Sequence, residues 1–225
     1  MSNSFLGARY IGDLFGSYTL ASRHDLPSDQ PRVFACRARS ASTRQIVVTA
    51  PVIGKAGEQL TAHFDELGLL TGHLSQISAD GFTIALDLSD SDRAALGAKL
   101  DWLKRRGIHG SKIDRRQDKR VRLPKPRTIL LLPDGRSLVG LIIDASIGGV
   151  AVSADLLPAK GMPLAVGSVL GRVVRLLPTG FAVQFAKVQV LQDLARSLGP
   201  QSADKQATLS SALSEVIRLG RPVSD

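Results

Sequence analysis

The chain has 225 residues, 44% of them hydrophobic, and carries 29 Lys and Arg against 20 Asp and Glu, a formal charge of +9. That length allows one or two domains with real cores, and a single cysteine, Cys36, excludes an intramolecular disulfide framework and fits a reducing compartment. Residues 1–20 lack the basic cluster and unbroken apolar core of a signal peptide, and no apolar run approaches a membrane span, so a soluble cytoplasmic protein is expected.

In chain order, residues 1–13 are poorly patterned, and 16–21 look like a strand. A polar loop with two prolines is expected over 24–31, then strands at 33–38, 46–48 and 68–77. Ala79, Asp80 and Gly81 give a hairpin signal before a strand at 82–86. Short strands at this spacing point to a barrel or sandwich. Ser89 and Asp92 then supply a helix cap and an acidic first turn. Leu96, Leu100 and Leu103 share one helical face, with Lys104 to Arg106 opposing the negative C-terminal dipole before Gly107. Trp102 is expected to pack on a barrel.

The charge is not spread evenly. Residues 104–127 hold eleven Lys and Arg against Asp114 and Asp118, so this stretch alone carries a net charge equal to the protein's +9. Excess charge concentrated in this way marks an anion site or an anion-facing arm. Self-repulsion predicts a mobile segment when it is empty. Beyond it, a strand-like run over 127–132 meets a turn at Pro133, Asp134 and Gly135, and a second run over 138–143 leads into a turn holding Asp144, Ser146, Gly148 and Gly149. Asp and Ser bond neighbouring backbone in turns, and glycine adopts positive φ there.

The arginine pair Arg116 and Arg120, four apart, followed by Asp144, Ser146 and Gly149 in the spacing Asp-x-Ser-x-x-Gly, resembles the PilZ family. The runs from Gly171 to Arg175 and from Gly180 to Phe185 agree, so the likeness covers roughly residues 115–190. The resemblance implies a small antiparallel β-barrel that binds the bacterial messenger cyclic di-GMP. The ligand-binding set is then Arg115, Arg116, Arg120, Asp144, Ser146, Gly148 and Gly149. Guanidinium groups fork onto phosphate oxygens or guanine O6 and N7, or lie on a purine face. Asp144 would accept from guanine N1 and N2, Ser146 would add a hydroxyl, and Gly149 would let backbone approach the base. Arg115 adds a third guanidinium, which in this family tends to accompany a stacked ligand dimer.

The second half also repeats the first. Shifting residues 42–60 by 104 superposes Ser42, Val48, Ala50, Gly57 and Leu60 on identical residues, and shifting 67–86 by 99 does the same for Gly68, Gly72, Gly81 and Phe82. The expected fold is mainly β: two tandem antiparallel PilZ-type barrels, at about 14–88 and 123–187, each followed by an α-helix. The expected domains are 1–106, a degenerate PilZ-like barrel with its helix; 107–126, the basic linker; and 127–225, a PilZ barrel with C-terminal helices. Those helices are read from Leu191, Leu194, Ala195 and Leu198, and from Leu209, Leu213, Val216 and Ile217. The last segment would dock on a barrel or on a partner. The first copy lacks the binding residues: Ser40, Arg44 and Gln45 stand for Asp144, Gly148 and Gly149, and counting back 104 from Arg116 and Arg120 gives Gly12 and Gly16.

Other chemistry finds no support. His24, His63, His73 and His109 lack metal-ligand spacing, and Gly54, Lys55 and Ala56 lack the rest of a phosphate loop. Ser146 has no nucleophile-elbow pattern. No enzyme, metal or cofactor is expected. Read alone, each motif is a solvated charge run or a plain loop; in this order, before a barrel pattern, they point to a cyclic di-GMP receptor that changes inter-domain arrangement to signal to an unidentified protein. The alternative is a nucleic-acid-binding barrel with a basic arm; against it, aromatics are only 4% of residues and are placed like core. A third possibility, a structural adaptor with a decayed site, conflicts with the intact motif.

Overall fold

The computed structural model describes residues 9–25, 30–106, 120–200 and 213. By contacts the chain divides into two compact units, Met1–Lys112 and Ile113–Asp225.

The first unit contains β1 (Arg9–Asp25), β2 (Gln30–Ser42), β3 (Gln45–Thr49), β4 (Gln59–Phe64), β5 (Gly68–Ser78), β6 (Gly81–Leu86) and α1 (Asp90–Arg106). Its strands close into an antiparallel barrel in the order β1-β2-β3-β6-β5-β4. Alternation drives this: along β4, Leu60, Ala62 and Phe64 point inward while Gln59 and His63 are exposed. The core is aromatic at its centre, where Tyr18 meets Phe34 and stands edge-on to Phe82 with ring centroids 5.7 and 5.3 Å away. The Tyr18 hydroxyl donates to the Val52 carbonyl and accepts from the Val52 N–H, so this buried polar atom is satisfied. Cys36 lies in the same core, where burial pushes its thiol pKa up.

α1 starts where the sequence places it. The Ser89 hydroxyl accepts from the Asp92 N–H at 3.1 Å, and Leu96, Leu100 and Leu103 join the barrel core. Arg93 donates to the carbonyls of Thr43 and Leu88, tying the helix to the β2–β3 hairpin. Trp102 does not join the core; it is 49% exposed, because it lies off the leucine face.

The second unit has β7 (Arg127–Leu131), β8 (Ser137–Ser146), β9 (Gly149–Ala154), β10 (Pro163–Val166), β11 (Val169–Leu177) and β12 (Gly180–Phe185). They form a second closed antiparallel barrel, β7-β8-β9-β12-β11-β10, with the same strand order as the first. Register breaks recur as well. One interrupts β2–β3 between Ala38 and Ser40 and β8–β9 between Ile142 and Asp144. Another interrupts β5–β6 between Leu74 and Gln76 and β11–β12 between Val173 and Arg175. These pairs are 104 and 99 residues apart, the two offsets of the sequence repeat. A short helical end follows, a single 3-10 turn at Leu191–Asp193 and α2 (Leu194–Leu198). Leu194 and Leu198 are buried in the core, whereas Leu191 is exposed. Leu213, the one described residue of the last predicted helix, is helical and packs on Leu131 and Ala165.

Several expected boundaries move. β1 begins at Arg9, inside the stretch read as unpatterned, because Tyr10 and Leu14 are core residues. The loop expected over 24–31 is shortened from both sides, with β1 running to Asp25 and β2 starting at Gln30. β4 and β10 are additional strands, and each closes its barrel, pairing with β1 and β7 respectively. No helix among the described residues is long and apolar enough to cross a membrane.

Candidate functional site

The site is built where the chain enters the second barrel. Val121 exchanges two backbone hydrogen bonds with Ala145, at 2.8 and 3.0 Å, and so lays Arg120 alongside the end of β8. The Arg120 Nη1 then donates to both oxygens of Asp144, at 2.9 and 2.8 Å. Both side chains are partly shielded, 32% and 26% exposed. One nitrogen serves both oxygens, so among the described residues the Arg120 Nη2 and Nε keep their donor capacity for a ligand.

Asp144 is not in a turn, as the sequence implied. β8 continues through it to Ser146, since the register break after Ile142 re-aims Asp144 while strand pairing resumes opposite Ala151. Only residues 147–148 form the hairpin loop. Its tip is held from beneath: the Gln189 N–H donates to the Ile147 carbonyl at 2.8 Å and the Phe185 N–H to the Gly148 carbonyl at 2.9 Å. The Ser146 hydroxyl points back to the Gly149 carbonyl at a long 3.5 Å, a contact weak enough to be given up.

Gly149 also differs from expectation. It does not adopt positive φ, and a Cβ there would sit 2.6 Å from the Val183 carbonyl. It is glycine because β12 passes too close for a side chain.

Arg120, Asp144, Ser146, Gly148 and Gly149 share one open cleft of about 480 Å³ on the barrel. Arg115 and Arg116 lie outside the described residues. The far wall, including Arg175 and Gln184, comes from β11 and β12. The runs over 171–175 and 180–185, which the sequence likens to the family, supply this wall, and the β8–β9–β12–β11 register brings it to the cleft. Among the described residues, no group of three or more His, Cys, Asp or Glu side chains could hold a metal ion.

Residues 114–198 match the PilZ domain family. This part of the chain belongs to that family. The PilZ domain so defined begins inside the basic segment and runs to the end of α2, taking in the whole second barrel. No curated protein sequence matches the chain. Solved structures similar to it include the Borreliella burgdorferi PlzA protein in complex with c-di-GMP, at 12% identity and a TM-score of 0.27 over 85% of this chain and 93% of that one. Another is the Bacillus subtilis inhibitor of motility MotI/DgrA, at 12% identity and a TM-score of 0.26 over 94% and 99%. A third is Escherichia coli YcgR in complex with c-di-GMP, at 13% identity and a TM-score of 0.24 over 92% and 88%.

The match over 114–198 covers the second barrel, and the first barrel has the same strand order. Tyr10 pairs with Ala41 as Val121 pairs with Ala145, so Arg9, opposite Ser42, stands where Arg120 stands. The residues inferred by constant offset, Gly12 and Gly16, are therefore the wrong counterparts, because the first strand is displaced relative to the rest of the repeat. Ser40 still replaces Asp144, and the Ser42 hydroxyl is engaged within its own hairpin, donating to the Gln45 carbonyl at 3.0 Å.

Proposed function

We propose that the chain is a cytoplasmic cyclic di-GMP receptor, not an enzyme, whose PilZ domain binds the messenger in the cleft around Arg120 and Asp144. What supports this reading is one cleft, within the family match, that collects Arg120, Asp144, Ser146, Gly148 and Gly149. A ligand with two phosphates and two guanines suits it: arginine takes phosphate or the guanine O6/N7 edge, and a carboxylate takes the N1 and N2 donors. Arg115 and Arg116 supply further cations from the adjoining segment. Domain 1–106 is then a degenerate PilZ-like barrel, 107–126 the linker that brings the arginines, and 127–225 the receptor barrel.

Calorimetry with cyclic di-GMP, beside a single-stranded oligonucleotide, tests the reading. Saturable binding of the dinucleotide alone is expected; binding of the oligonucleotide alone would establish a nucleic-acid protein instead. With Arg115 present, two ligands per chain are expected, falling towards one in Arg115→Leu. A stoichiometry of one in the unmodified protein would count against a stacked dimer.

Ligand binding is proposed to draw Arg116 and Arg120 onto the PilZ barrel, and the change is passed to an unidentified protein through the arrangement of the two barrels. A conformational change follows only if the messenger prefers one state. Saturating cyclic di-GMP should therefore slow trypsin cleavage between Lys112 and Arg122 and alter the scattering profile. Equal cleavage with and without ligand would place the switch elsewhere.

A further inference from the structure

Helix α1 has two distinct faces. Leu96, Leu100 and Leu103 form one, buried in the core of the first barrel. At 3.6 residues per turn, the stripe opposite them lies within about 60° of Ala98 and holds Ser91, Ala94, Ala95, Ala98, Trp102 and Arg105. All six are exposed. Exposed alanines suit a helix for their propensity alone, but an indole that is 49% exposed leaves a large apolar surface in water.

The helix is also polarised along its length. Asp90 and Asp92 stand in its first turn, and Lys104 and Arg105 in its last, all of them exposed. The Arg105 Nε donates to the Asp101 carbonyl at 3.3 Å, which leaves its two terminal nitrogens as donors among the described residues. The helix dipole favours acids first and bases last. The same order makes the helix complementary to a copy of itself running the other way.

We propose that α1 is a self-association surface, on which the α1 of a second copy lies antiparallel with Ala98 at the two-fold axis. Trp102 and Ala94 are each four residues from Ala98, about 6 Å to either side. Turned end for end, the indole of each copy comes level with the partner's Ala94 and lies across the partner's Ala95. Arg105, about 10 Å from the axis, comes beside the partner's Asp90 and the partner's Ser91. Large meets small and cation meets anion, and each contact occurs twice, as a two-fold interface requires. A parallel pair would instead set indole on indole and like charge on like charge, which opposes association. An anionic membrane is a poorer fit, because Asp90 and Asp101 flank the same stripe. One helix pair buries less than the roughly 1,600 Å² of a standard stable interface, so the dimer is weak and concentration-dependent. The inference is independent of what the cleft binds.

Trp102 is the chain's single tryptophan, so its fluorescence reports on this face directly. Sedimentation velocity on the full chain, from micromolar to millimolar protein, should show a monomer–dimer equilibrium, with a blue shift of tryptophan emission over the same range. Ala98→Glu should abolish both while leaving circular dichroism and the thermal melt unchanged, since the position is exposed. Asp90→Arg and Arg105→Glu should each weaken association about tenfold by placing like charges together. The double swap Asp90→Arg/Arg105→Glu should recover most of the loss, because it re-forms the pair with the signs exchanged. A purely structural role would give the opposite result, since the double swap opposes the helix dipole at both ends. A chain that stays monomeric throughout, a dimer indifferent to Ala98→Glu, or a double swap weaker than either single change overturns the proposal. So does an emission shift that appears only with anionic phospholipid vesicles, which would assign the face to a membrane instead.

Discussion

Arg120→Ala is expected to weaken cyclic di-GMP binding by about a hundredfold. A lost charge-assisted hydrogen bond costs about 1.5–3 kcal/mol, or roughly ten- to a hundredfold. The upper end applies because the substitution also strips Asp144 of a cation that bonds both its oxygens. A bare carboxylate then faces the ligand's phosphates. Removing the acid as well relieves that repulsion, so Arg120→Ala/Asp144→Ala should bind no worse than the two single losses added together. Stability should hardly change, since a partly exposed pair contributes about 1 kcal/mol or less. Calorimetry and thermal melts on the four proteins check this. Tight binding by Arg116→Ala/Arg120→Ala would refute the site.

Gly180→Ala should be among the most destabilising small substitutions in the chain, at about 3 kcal/mol. An added Cβ would come within 2.0 Å of the Val152 carbonyl, and strand backbone cannot step aside as a side chain can. Gly161→Ala is the control. Gly161 has φ 90° but meets nothing within 4 Å, so only the conformational cost remains, about 1–2 kcal/mol. Denaturant unfolding should rank Gly180→Ala below Gly161→Ala. Equal losses would mean that β9 and β12 can separate without penalty.

The same glycines explain why the repeat was legible. Gly81 would meet the Val48 carbonyl at 2.0 Å, as Gly180 meets that of Val152, and Gly72 and Gly171 crowd the carbonyls of Ala85 and Gln184. Two barrels with one strand order have the same close approaches, and only glycine satisfies them, so these positions match while the surrounding side chains drift. Arg120, Asp144, Ser146 and Gly149 were legible as a set because they lie within thirty residues and carry distinctive chemistry. The wall opposite was legible only as part of the family likeness, in the runs over 171–175 and 180–185; that these runs line the same cleft as Asp144 follows from the strand pairings alone. β10 escaped notice because four residues are too few to show alternation, and Trp102 misled because a large aromatic reads as core wherever it lies. The motif glycine has a reason that the motif does not show: Gly149 is required by the close approach of β12 in the sheet.

If the cleft takes the messenger, the Arg120–Asp144 pair also bears on which molecules compete for it. A small inorganic anion, abundant in any cell, meets a cation already neutralised by its own carboxylate. A simple anion can take the Arg120 N–H groups that the pair leaves over, but it offers the acid nothing. A molecule that carries phosphate and amide-like N–H groups together can replace both halves of the pair at once. On the receptor reading, the internal ion pair would therefore favour such a molecule over background phosphate and sulfate.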